Sequence, residues 1–512
     1  MAAKWRKWFV LFVFVGGAGT AVILLNLHPN QSHTVASAAN LNADPPPAYV
    51  VVAWNDLGMH CYNRDFQDLA VLPPFNTLWA QVIKTGNPPQ LLTENVRVTY
   101  EFPDNTYSVG KSNFWDYDVA LFGVDLLPNV GLAGNGLAGD MELVSGDHFE
   151  AVGIPLTEFR DSDPVNPYPY QLATVIAYDT TTNEEMARIT TVAPVSTEMH
   201  CDNCHHDGGV EDISTGRVET NILTLHDNAS RGSYPAGHEG ALMGRRPVLC
   251  AECHASNALG AAGVAGIPSL SKAMHDKHSG VVPATLEGCY QCHPGPQTQC
   301  LRDVMSTDHN MDCLDCHGNL DAVANNPQPW FNEPRCDTCH GTSYQQDKAL
   351  YRMSKEHGGL YCAACHDSPH AIAPSSQPND SIKFMALQGH NGTLDTCTVC
   401  HTTQPLTAGP HGSLAPYVEV TISRANSSDL ELSWLHRTQN SRYRVWRDAT
   451  DPYFNPGADT SLSLADLDAP TAQFLHTNAL ADGVNGYYVV VVENGVGSYT
   501  SNRIGEFNFE LH

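Results

Sequence analysis

The sequence predicts a multidomain chain in which two β-rich regions flank a middle region of coil and short helices. Three observations predict this class. Short apolar and β-branched stretches recur up to about residue 194 and again beyond residue 416. Between them, long apolar runs are few and one cysteine and histidine motif repeats seven times. The 512 residues leave room for about three domains.

The N-terminal residues have the pattern of an export signal. Lys4, Arg6 and Lys7 precede an apolar run from Trp8 to Leu27. That run is just long enough to span a bilayer, whereas the small residues 36–38 are typical of a cleavage site. We therefore expect residues 1–38 to be either a cleaved signal peptide or an N-terminal membrane anchor. Both alternatives place the body of the chain in the periplasm, at the cell surface or outside the cell.

Residues 48–195 are predicted to form a β-rich domain. A Pro-rich linker at 45–47 precedes it. Candidate strands lie at 49–54, 78–83, 96–102, 170–178 and 186–192. The glycine-rich stretch 130–139 lacks the context of a phosphate-binding motif, so it is read as an ordinary loop. We expect a sandwich or similar sheet with no chemistry of its own.

The charge balance restricts the partners. Lys and Arg number 27 against 55 Asp and Glu, for a net charge of −28. Such an acidic chain is repelled by nucleic acid and by anionic lipid, and it favours cationic or metallic partners. We therefore expect no nucleic-acid partner.

Seven copies of Cys-x-x-Cys-His organise the middle of the chain, and in every copy the histidine follows the second cysteine directly. The cysteine and histidine residues are Cys201, Cys204, His205, Cys250, Cys253, His254, Cys289, Cys292, His293, Cys313, Cys316, His317, Cys336, Cys339, His340, Cys362, Cys365, His366, Cys397, Cys400 and His401.

Three kinds of site use paired cysteines, and the constant histidine distinguishes them. A zinc site needs two such halves for each ion and no histidine at this position. A redox dithiol would occur once, beside a βαβ pattern. Covalent heme requires the whole motif, because both thiols attach to the porphyrin edge and the next residue becomes the proximal iron ligand. We therefore predict seven covalently bound heme c groups, with the seven motif histidines as proximal ligands.

The motif spacing then predicts how the middle region packs. Seven motifs between 196 and 414 leave roughly 30 residues for each heme, too few for separate side-chain pockets. We expect the porphyrins to form much of the core, wrapped by coil and short helices. The predicted fold class is an N-terminal β-rich domain, a heme-packed, mostly coil and short-helix heptaheme cytochrome domain over 196–414, and a C-terminal β-sandwich.

The middle region resembles the bacterial multiheme c-type cytochromes of respiratory and extracellular electron transfer. The seven motifs carry the resemblance, together with the phrases LYCAACHDSPH (360–370), LQGHNGTLDTCTVCH (387–401) and AGPHG (408–412). The phrase NDLGMHCYNRDF (55–66) has a similar look. The resemblance implies electron transfer along closely packed hemes, mostly with two histidine ligands on each iron.

Enough further histidines are present to supply the second, distal ligands. Between residues 200 and 411, eleven lie outside the motifs, and seven irons would need seven. In a helix, His275 and His278 would share one face and serve two adjacent irons. The candidate distal ligands are His226, His275, His278, His309, His357, His370 and His411, with His206, His238 and His390 in reserve.

Two cysteines, Cys61 and Cys300, lie outside the motifs. In an oxidising compartment two remaining cysteines can pair, which would join the β-rich domain to the motif region. The alternative is two buried thiols.

Residues 415–512 are predicted to form a β-sandwich without a heme motif. Alternating apolar residues occur around 418–422, 430–434 and 443–445, followed by GYYVVVVENG. The LSW and YRVWR phrases resemble a fibronectin type III or immunoglobulin-like sandwich.

These observations predict an exported or membrane-anchored heptaheme cytochrome that conducts electrons to an extracytoplasmic or extracellular acceptor. Its partners would be redox proteins or extracellular electron acceptors. We expect an electron carrier with no catalytic residues rather than an enzyme. The alternatives are a heme-dependent reductase, an oxidoreductase with one open-coordination heme, and a subunit that self-assembles into a cytochrome filament.

Overall fold

The computed structural model describes residues 47–326, 333–402, 410–412, 418, 420–437, 440–451, 454–457, 460–481, 484–494 and 498–506. The predicted signal peptide or anchor at 1–38 lies outside these residues. Within them, no helix has the length and the apolar composition needed to cross a membrane.

A nine-stranded sheet, which we call the N-terminal sheet, is built by the first part of the chain. Its strands are β1 (Tyr49–Asn55), β2 (His60–Cys61), β4 (Asn76–Lys84), β5 (Gln90–Leu92), β6 (Val96–Glu101), β7 (Ala138–Val144), β8 (His148–Ile154), β9 (Tyr170–Asp179) and β10 (Glu185–Ser196). The order is β1-β4-β8-β7-β6-β9-β10-β2, and β5 also pairs with β4. Strand β2 pairs with β10 in parallel, and the other pairs are antiparallel. Helix α1 (Asp118–Phe122) lies in the connection from β6 to β7.

Strand β1 is buried on both faces. Val51 and Ala53 belong to the interior core of the N-terminal sheet, whereas Val50, Val52 and Trp54 belong to a second core on the opposite face. Successive side chains of a strand point to opposite faces. A strand covered on both faces therefore has a continuous apolar sequence, here YVVVAW, rather than an alternating one.

The N-terminal sheet curls so that β1 lies beside β10. The Thr191 hydroxyl donates a hydrogen bond to the Ala53 carbonyl at 3.0 Å. The side-chain amide of Asn76, at the start of β4, donates to the Pro194 carbonyl at 3.0 Å. These bonds satisfy buried polar groups where the two ends of the sheet meet.

Residues 197–402, which we call the motif segment, contain short helices and turns. The α-helices are α2 (Val218–Ser230), α3 (Leu270–His278), α4 (Leu286–Cys289), α5 (Val304–His309), α6 (Cys313–His317), α7 (Leu320–Asn325), α8 (Cys336–His340), α9 (Cys362–His366) and α10 (Pro378–Gln388). Short strands β12 (Lys355–Glu356) and β13 (Leu360–Tyr361) pair with each other, and β11 (Val248–Leu249) pairs with β3 (Leu69–Ala70).

Side-chain caps explain where several of these helices begin. The side chain of Ser269 accepts a hydrogen bond from the first turn of α3, and Asp303 does the same for α5. Asp312 and Asp315 form a reciprocal capping box on α6, and Asn319 caps α7. Each cap satisfies a backbone N–H that has no partner within the helix.

Two further sheets lie near the C-terminus. One contains β14 (Val420–Arg424), β15 (Leu430–Trp434) and β18 (Gln473–His476). The other contains β16 (Arg442–Asp448), β17 (Ser463–Asp468), β19 (Gly486–Glu493), β20 (Ser498–Thr500) and β21 (Ile504–Glu506). Buried side chains of both sheets share one core, in which the rings of Trp434 and Tyr443 lie 5.3 Å apart.

The predicted fold class is wrong. The described chain is rich in β structure, and the motif segment is not a separate coil and short-helix domain packed around hemes. Its buried side chains Tyr361, Ala363 and Val399 share a core with Trp54 and Trp79 of the N-terminal sheet. No cluster of three or more His, Cys, Asp or Glu able to hold a metal ion occurs in the described residues.

The physical reason for this correction is the number of residues around each motif. The residues around one motif are too few to bury a core of their own. The prediction therefore assigned the missing apolar surface to porphyrin. In the structure, the outer face of the N-terminal sheet supplies apolar side chains instead. The domain boundaries at 48–195, 196–414 and 415–512 stay predictions.

Candidate functional site

Each Cys-x-x-Cys-His motif forms one helical turn. In the motifs that begin at Cys201, Cys250, Cys289 and Cys397, the histidine N–H donates to the carbonyl of the first cysteine at 2.8 to 3.1 Å. The other three motifs are the helices α6, α8 and α9. Residues three and four apart share one face of a helical turn. Both thiols and the imidazole of a motif therefore lie on the same side of the chain.

Six of the seven motif histidines face a second histidine. The distances between ring centres are 6.3 Å for His205–His278, 6.2 Å for His254–His226, 6.2 Å for His293–His275, 6.2 Å for His317–His370, 6.0 Å for His366–His411 and 5.9 Å for His401–His357. All six second histidines are among the candidate distal ligands. His275 and His278 of helix α3 face two different motif histidines.

The spacing fits two imidazoles on opposite sides of one metal ion. A ligating imidazole nitrogen lies about 2 Å from the metal, and the ring centre lies roughly 1 Å further away, so two such rings have centres roughly 6 Å apart. Two protein ligands are too few for a bare ion. A pair suits a group that brings its own equatorial ligands, as a porphyrin does.

Hydrogen bonds at Nδ1 orient several of these imidazoles. The Nδ1 atoms of His254, His275 and His278 lie 2.8, 2.7 and 2.6 Å from the backbone carbonyls of residues 268, 271 and 274. A carbonyl only accepts, so Nδ1 carries the hydrogen and the lone pair of Nε2 is free for a metal. Such second bonds fix the ring and the tautomer of metal-binding histidines.

Burial keeps two paired histidines neutral. Removal from water, with a smaller effect of neighbouring charges, lowers the pKa of His366 and His370 to about 4. An imidazole binds a metal only in its neutral form. These two rings are therefore in the ligating state across the physiological pH range.

A continuous cavity of about 2,120 Å³ connects the motifs. Cysteines from six of the seven motifs line it, together with candidate distal ligands such as His275, His370 and His411. A planar group attached through two thioethers needs open space beside its helical turn, and the cavity provides that space next to the paired imidazoles. The thiols, the histidine pairs and the cavity thus fit heme c.

The motifs adjoin one another in a row. Thiols of neighbouring motifs lie close enough to interact electrostatically. The neighbouring thiols are Cys292 with Cys201 and Cys204, Cys313 with Cys289, Cys316 with Cys339, Cys362 with Cys336, and Cys365 with Cys400. A hydrogen bond from the Cys313 thiol lowers the pKa of Cys289 to about 7. Six motifs thus form a continuous series.

The seventh motif histidine, His340, differs from the other six. Its ring lies 5.7 Å from the ring of Tyr344. Among the described residues, no histidine ring is in ring contact with it. The remaining candidate distal ligand, His309, is exposed at the end of α5, and the structure does not bring it against a motif histidine within the described ranges.

The loop that follows β1, residues 55–68, docks the N-terminal sheet onto the motif segment, and we call it the docking loop. The Ser368 hydroxyl donates to the Asn55 carbonyl at 2.7 Å. Arg302 donates to the Gly58 carbonyl at 2.9 Å. Gly58 has a φ of +77°, and a Cβ added to it would lie 1.8 Å from the carbonyl oxygen of Pro369, so only glycine fits.

Two carboxylates of the docking loop bind arginines of the motif segment. Arg217 donates to Asp65 and to Asp68, each at 2.6 Å, and Arg246 donates to Asp68 at 2.8 Å. The Asp68 side chain is only 2% exposed, so both of its oxygens depend on these arginines. In the sequence, this loop is distinguished only by its resemblance to the multiheme cytochromes, and no residue pattern within it indicates a docking role.

Two buried ion pairs lie next to the paired histidines His370 and His366. Arg302 donates to both carboxylate oxygens of Asp380, at 2.7 and 3.1 Å, and both side chains are at most 1% exposed. Lys383 donates to Asp367 at 2.7 Å, and Asp367 directly follows His366. Paired charges of this kind tolerate burial, whereas a single unpaired charge does not.

The two cysteines outside the motifs lie together. Cys61 and Cys300 pack on the same small apolar cluster, formed by Met59, Tyr170 and Val192. Both are free thiols in the structure, and burial raises the pKa of Cys300 to about 11. The disulfide stays a prediction.

The reserve histidines lie apart from the six pairs. The Nδ1 of His206 is 3.1 Å from the Asp207 carbonyl, and the Nδ1 of His238 is 3.9 Å from a carboxylate oxygen of Glu252. The Nε2 of His390 is 3.2 Å from the hydroxyl of Thr396.

Comparison with known proteins gives no family for the chain. No protein family model and no curated protein matches it. Two fibronectin type III structures match 17% of this chain at 18% identity: the FN1–FN3 domains of chicken CNTN1, of which 29% is covered (TM-score 0.14), and FN3tt mut, of which 83% is covered (TM-score 0.12). A Bacteroides uniformis β-glucuronidase matches 90% of this chain and 62% of its own at 8% identity (TM-score 0.16). Scores this low carry no argument about the fold or the activity.

Proposed function

We propose that the chain is an exported heptaheme c-type cytochrome that transfers electrons. Seven heme c groups would be attached at the seven motifs, most of them with two histidine ligands. The observation that carries the proposal is the set of six histidine pairs, whose ring centres lie 5.9 to 6.3 Å apart. Residues far apart in sequence meet at this spacing six times, and each pair includes the histidine of one motif.

The residues of each motif have separate roles. The two cysteines would form the thioether bonds to heme c, and the adjacent histidine and the paired histidine would hold its iron. When bound, heme c supplies an iron that takes up and releases one electron. Two imidazoles leave no open position for a substrate at that iron, so the six paired sites suit electron transfer rather than catalysis.

The row of adjoining motifs supports conduction along the motif segment. Neighbouring thiols interact from the motif at Cys201, through the third to the sixth motifs, to the motif that ends at His401. The acceptor would be a redox protein or an extracellular acceptor, and the net charge of −28 favours a partner with a positive surface.

The test is production of the chain in a host that attaches heme c. We expect an added mass of seven hemes, absorbance of low-spin heme after reduction, and full reoxidation by an electron acceptor. The variant C397S/C400S should carry six hemes. The matched control Cys61→Ala changes a cysteine outside the motifs and should keep seven.

Two results would contradict the proposal. One is a mature protein with fewer than seven covalent hemes under conditions in which a known c-type cytochrome matures fully. The other is a protein with seven hemes whose iron does not change oxidation state with added reductant and oxidant.

A further inference from the structure

We propose that the heme iron at the motif Cys336, Cys339 and His340 is the one that would accept an external ligand. The ligand class is a small molecule that donates a lone pair through a single atom, such as a diatomic gas or an inorganic anion. This inference rests on the proposed function, because it requires heme c at the motifs.

His340 differs from the other six motif histidines in the ring that it faces. Six face a second imidazole at the spacing that one metal ion requires. His340 faces the ring of Tyr344, and no described histidine is in ring contact with it. The histidines outside the described residues are His28, His33 and His512, at the two ends of the chain.

Tyr344 is too close to His340 for the two side chains to ligate one iron from opposite sides. A phenolate bound across an iron from an imidazole would place its ring centre roughly 7 Å from that of the histidine. The observed distance is 5.7 Å. Tyr344 also packs on the ring of His411 at 4.7 Å. Its ring therefore packs between two imidazoles, at a distance from His340 that does not suit a shared iron.

His340 is accessible from solvent. His340 belongs to a run of exposed residues, 338–345. By contrast, His366 and His370 of the neighbouring sites are only partly exposed. A small molecule can therefore reach the His340 site from solvent without a rearrangement of the core.

The site is also connected to the rest of the row. The rings of His340, Tyr344, His411 and His366 follow one another at 5.7, 4.7 and 6.0 Å. A ligand at the His340 iron would thus be bound at a centre in contact with the neighbouring heme site. Such a position is suited to delivering electrons to a small molecule.

The experiment is a titration of the fully reduced heptaheme protein with carbon monoxide, followed by optical spectroscopy. We expect one equivalent of carbon monoxide to bind for each seven hemes. The variant C336S/C339S should carry six hemes and bind none. The matched variant C397S/C400S should also carry six hemes and still bind one equivalent.

A second variant tests the competing ligand. His309→Ala changes an exposed side chain at the end of α5, so its folding is not at risk. We expect the same stoichiometry as in the unchanged protein. If His309 of the same chain or of a second copy ligates the iron, the unchanged protein will bind no carbon monoxide and His309→Ala will bind one equivalent. That outcome would overturn the inference.

Other outcomes separate this inference from the proposed function. Seven hemes that reduce normally but bind no carbon monoxide would refute the inference and leave the electron carrier intact. Fewer than seven covalent hemes would refute the proposed function itself. Retention of carbon monoxide binding in C336S/C339S would assign the ligand to another motif. Binding that appears only on dilution would indicate that a second copy covers the site.

Discussion

The N-terminal sheet and the motif segment bury their side chains in different ways. The sheet has an interior core of apolar and aromatic residues from nearly all of its strands. The motif segment contributes small groups of buried residues, and its largest group is completed by Trp54 and Trp79 of the sheet. The sheet is thus stabilised by its own core, whereas the motif segment depends on contacts outside itself.

Because of this difference, we expect the N-terminal sheet and the motif segment to respond differently to the same perturbation. The sheet should tolerate loss of heme, because its interior core is built almost entirely from its own side chains. The motif segment should not, since its imidazole pairs, thiols and cavity have few apolar partners of their own. The three predictions below test this comparison.

The largest effect is expected when heme is absent. In a host without heme c attachment, residues 197–402 should be cut rapidly by protease and exchange amide hydrogens quickly, because unliganded histidine pairs contribute little stability. Residues 49–196 should stay protected. Mass spectrometry of limited digests measures both regions in one sample. Equal protection of the motif segment with and without heme would show that it is stable by itself.

A smaller effect is expected when the buried ion pair of the motif segment is broken at Arg302. Arg302→Leu leaves the Asp380 carboxylate buried and unpaired, which should cost about 3 to 5 kcal/mol of unfolding free energy. Chemical denaturation of the heme-loaded protein measures the loss.

The matched control for that variant is Arg188→Leu, which breaks an ion pair with Glu185 at the exposed end of the sheet. This variant should leave the denaturation midpoint unchanged, because exposed pairs contribute little. Equal losses in the two variants would mean that burial of the Arg302–Asp380 pair adds nothing to the stability of the motif segment.

The smallest effect is the pH dependence of stability that Glu158 causes where the N-terminal sheet meets the motif segment. Burial raises the pKa of Glu158, although Thr197 donates hydrogen bonds to it. The folded state therefore holds the proton more tightly than the unfolded chain, whose value is about 4.3. The stability that Glu158 contributes is fully present below the unfolded pKa, and it decreases as pH rises through the folded pKa. Glu158→Gln should remove this decrease, as measured by denaturation at several pH values.

Asp161 provides the opposite case within the sheet region. Burial raises its pKa, but the bonds from Lys111 and Thr106 outweigh that effect and hold the value below its usual range. Its contribution to the free energy of unfolding is present above the unfolded pKa of about 3.9, and it is lost as pH falls through the folded pKa. If Glu158→Gln and Asp161→Asn changed the pH profile in the same direction, the assignment of the two carboxylates would be wrong.

Part of this architecture could be read from the sequence because it depends on local pattern. The expected strands at 49–54, 78–83 and 96–102 overlap β1, β4 and β6, since short apolar runs of β-branched and aromatic residues favour strands in any context. The helical turn at each motif is likewise local. That His275 and His278 face two different motif histidines could also be expected, because helical spacing places both on one face.

The remainder depends on contacts between distant residues. Nothing local to His278 indicates that it faces His205 rather than a nearer motif. The docking residues Asn55, Gly58, Asp65 and Asp68 are of types that are common in any exposed loop. The fold class was wrong for the same reason, because the sequence does not reveal that one face of β1 and β4 covers the motif segment.

The fit of Gly58 against Pro369 limits how freely the two parts can be exchanged. Pro369 directly precedes His370, whose ring faces His317. The backbone of the docking loop is therefore the surface against which this histidine is positioned. An engineered protein that transplanted residues 197–402 onto another scaffold would lose that surface. To keep the His317 site, the graft would have to include the docking loop, so the portable unit is larger than the repeated motif indicates.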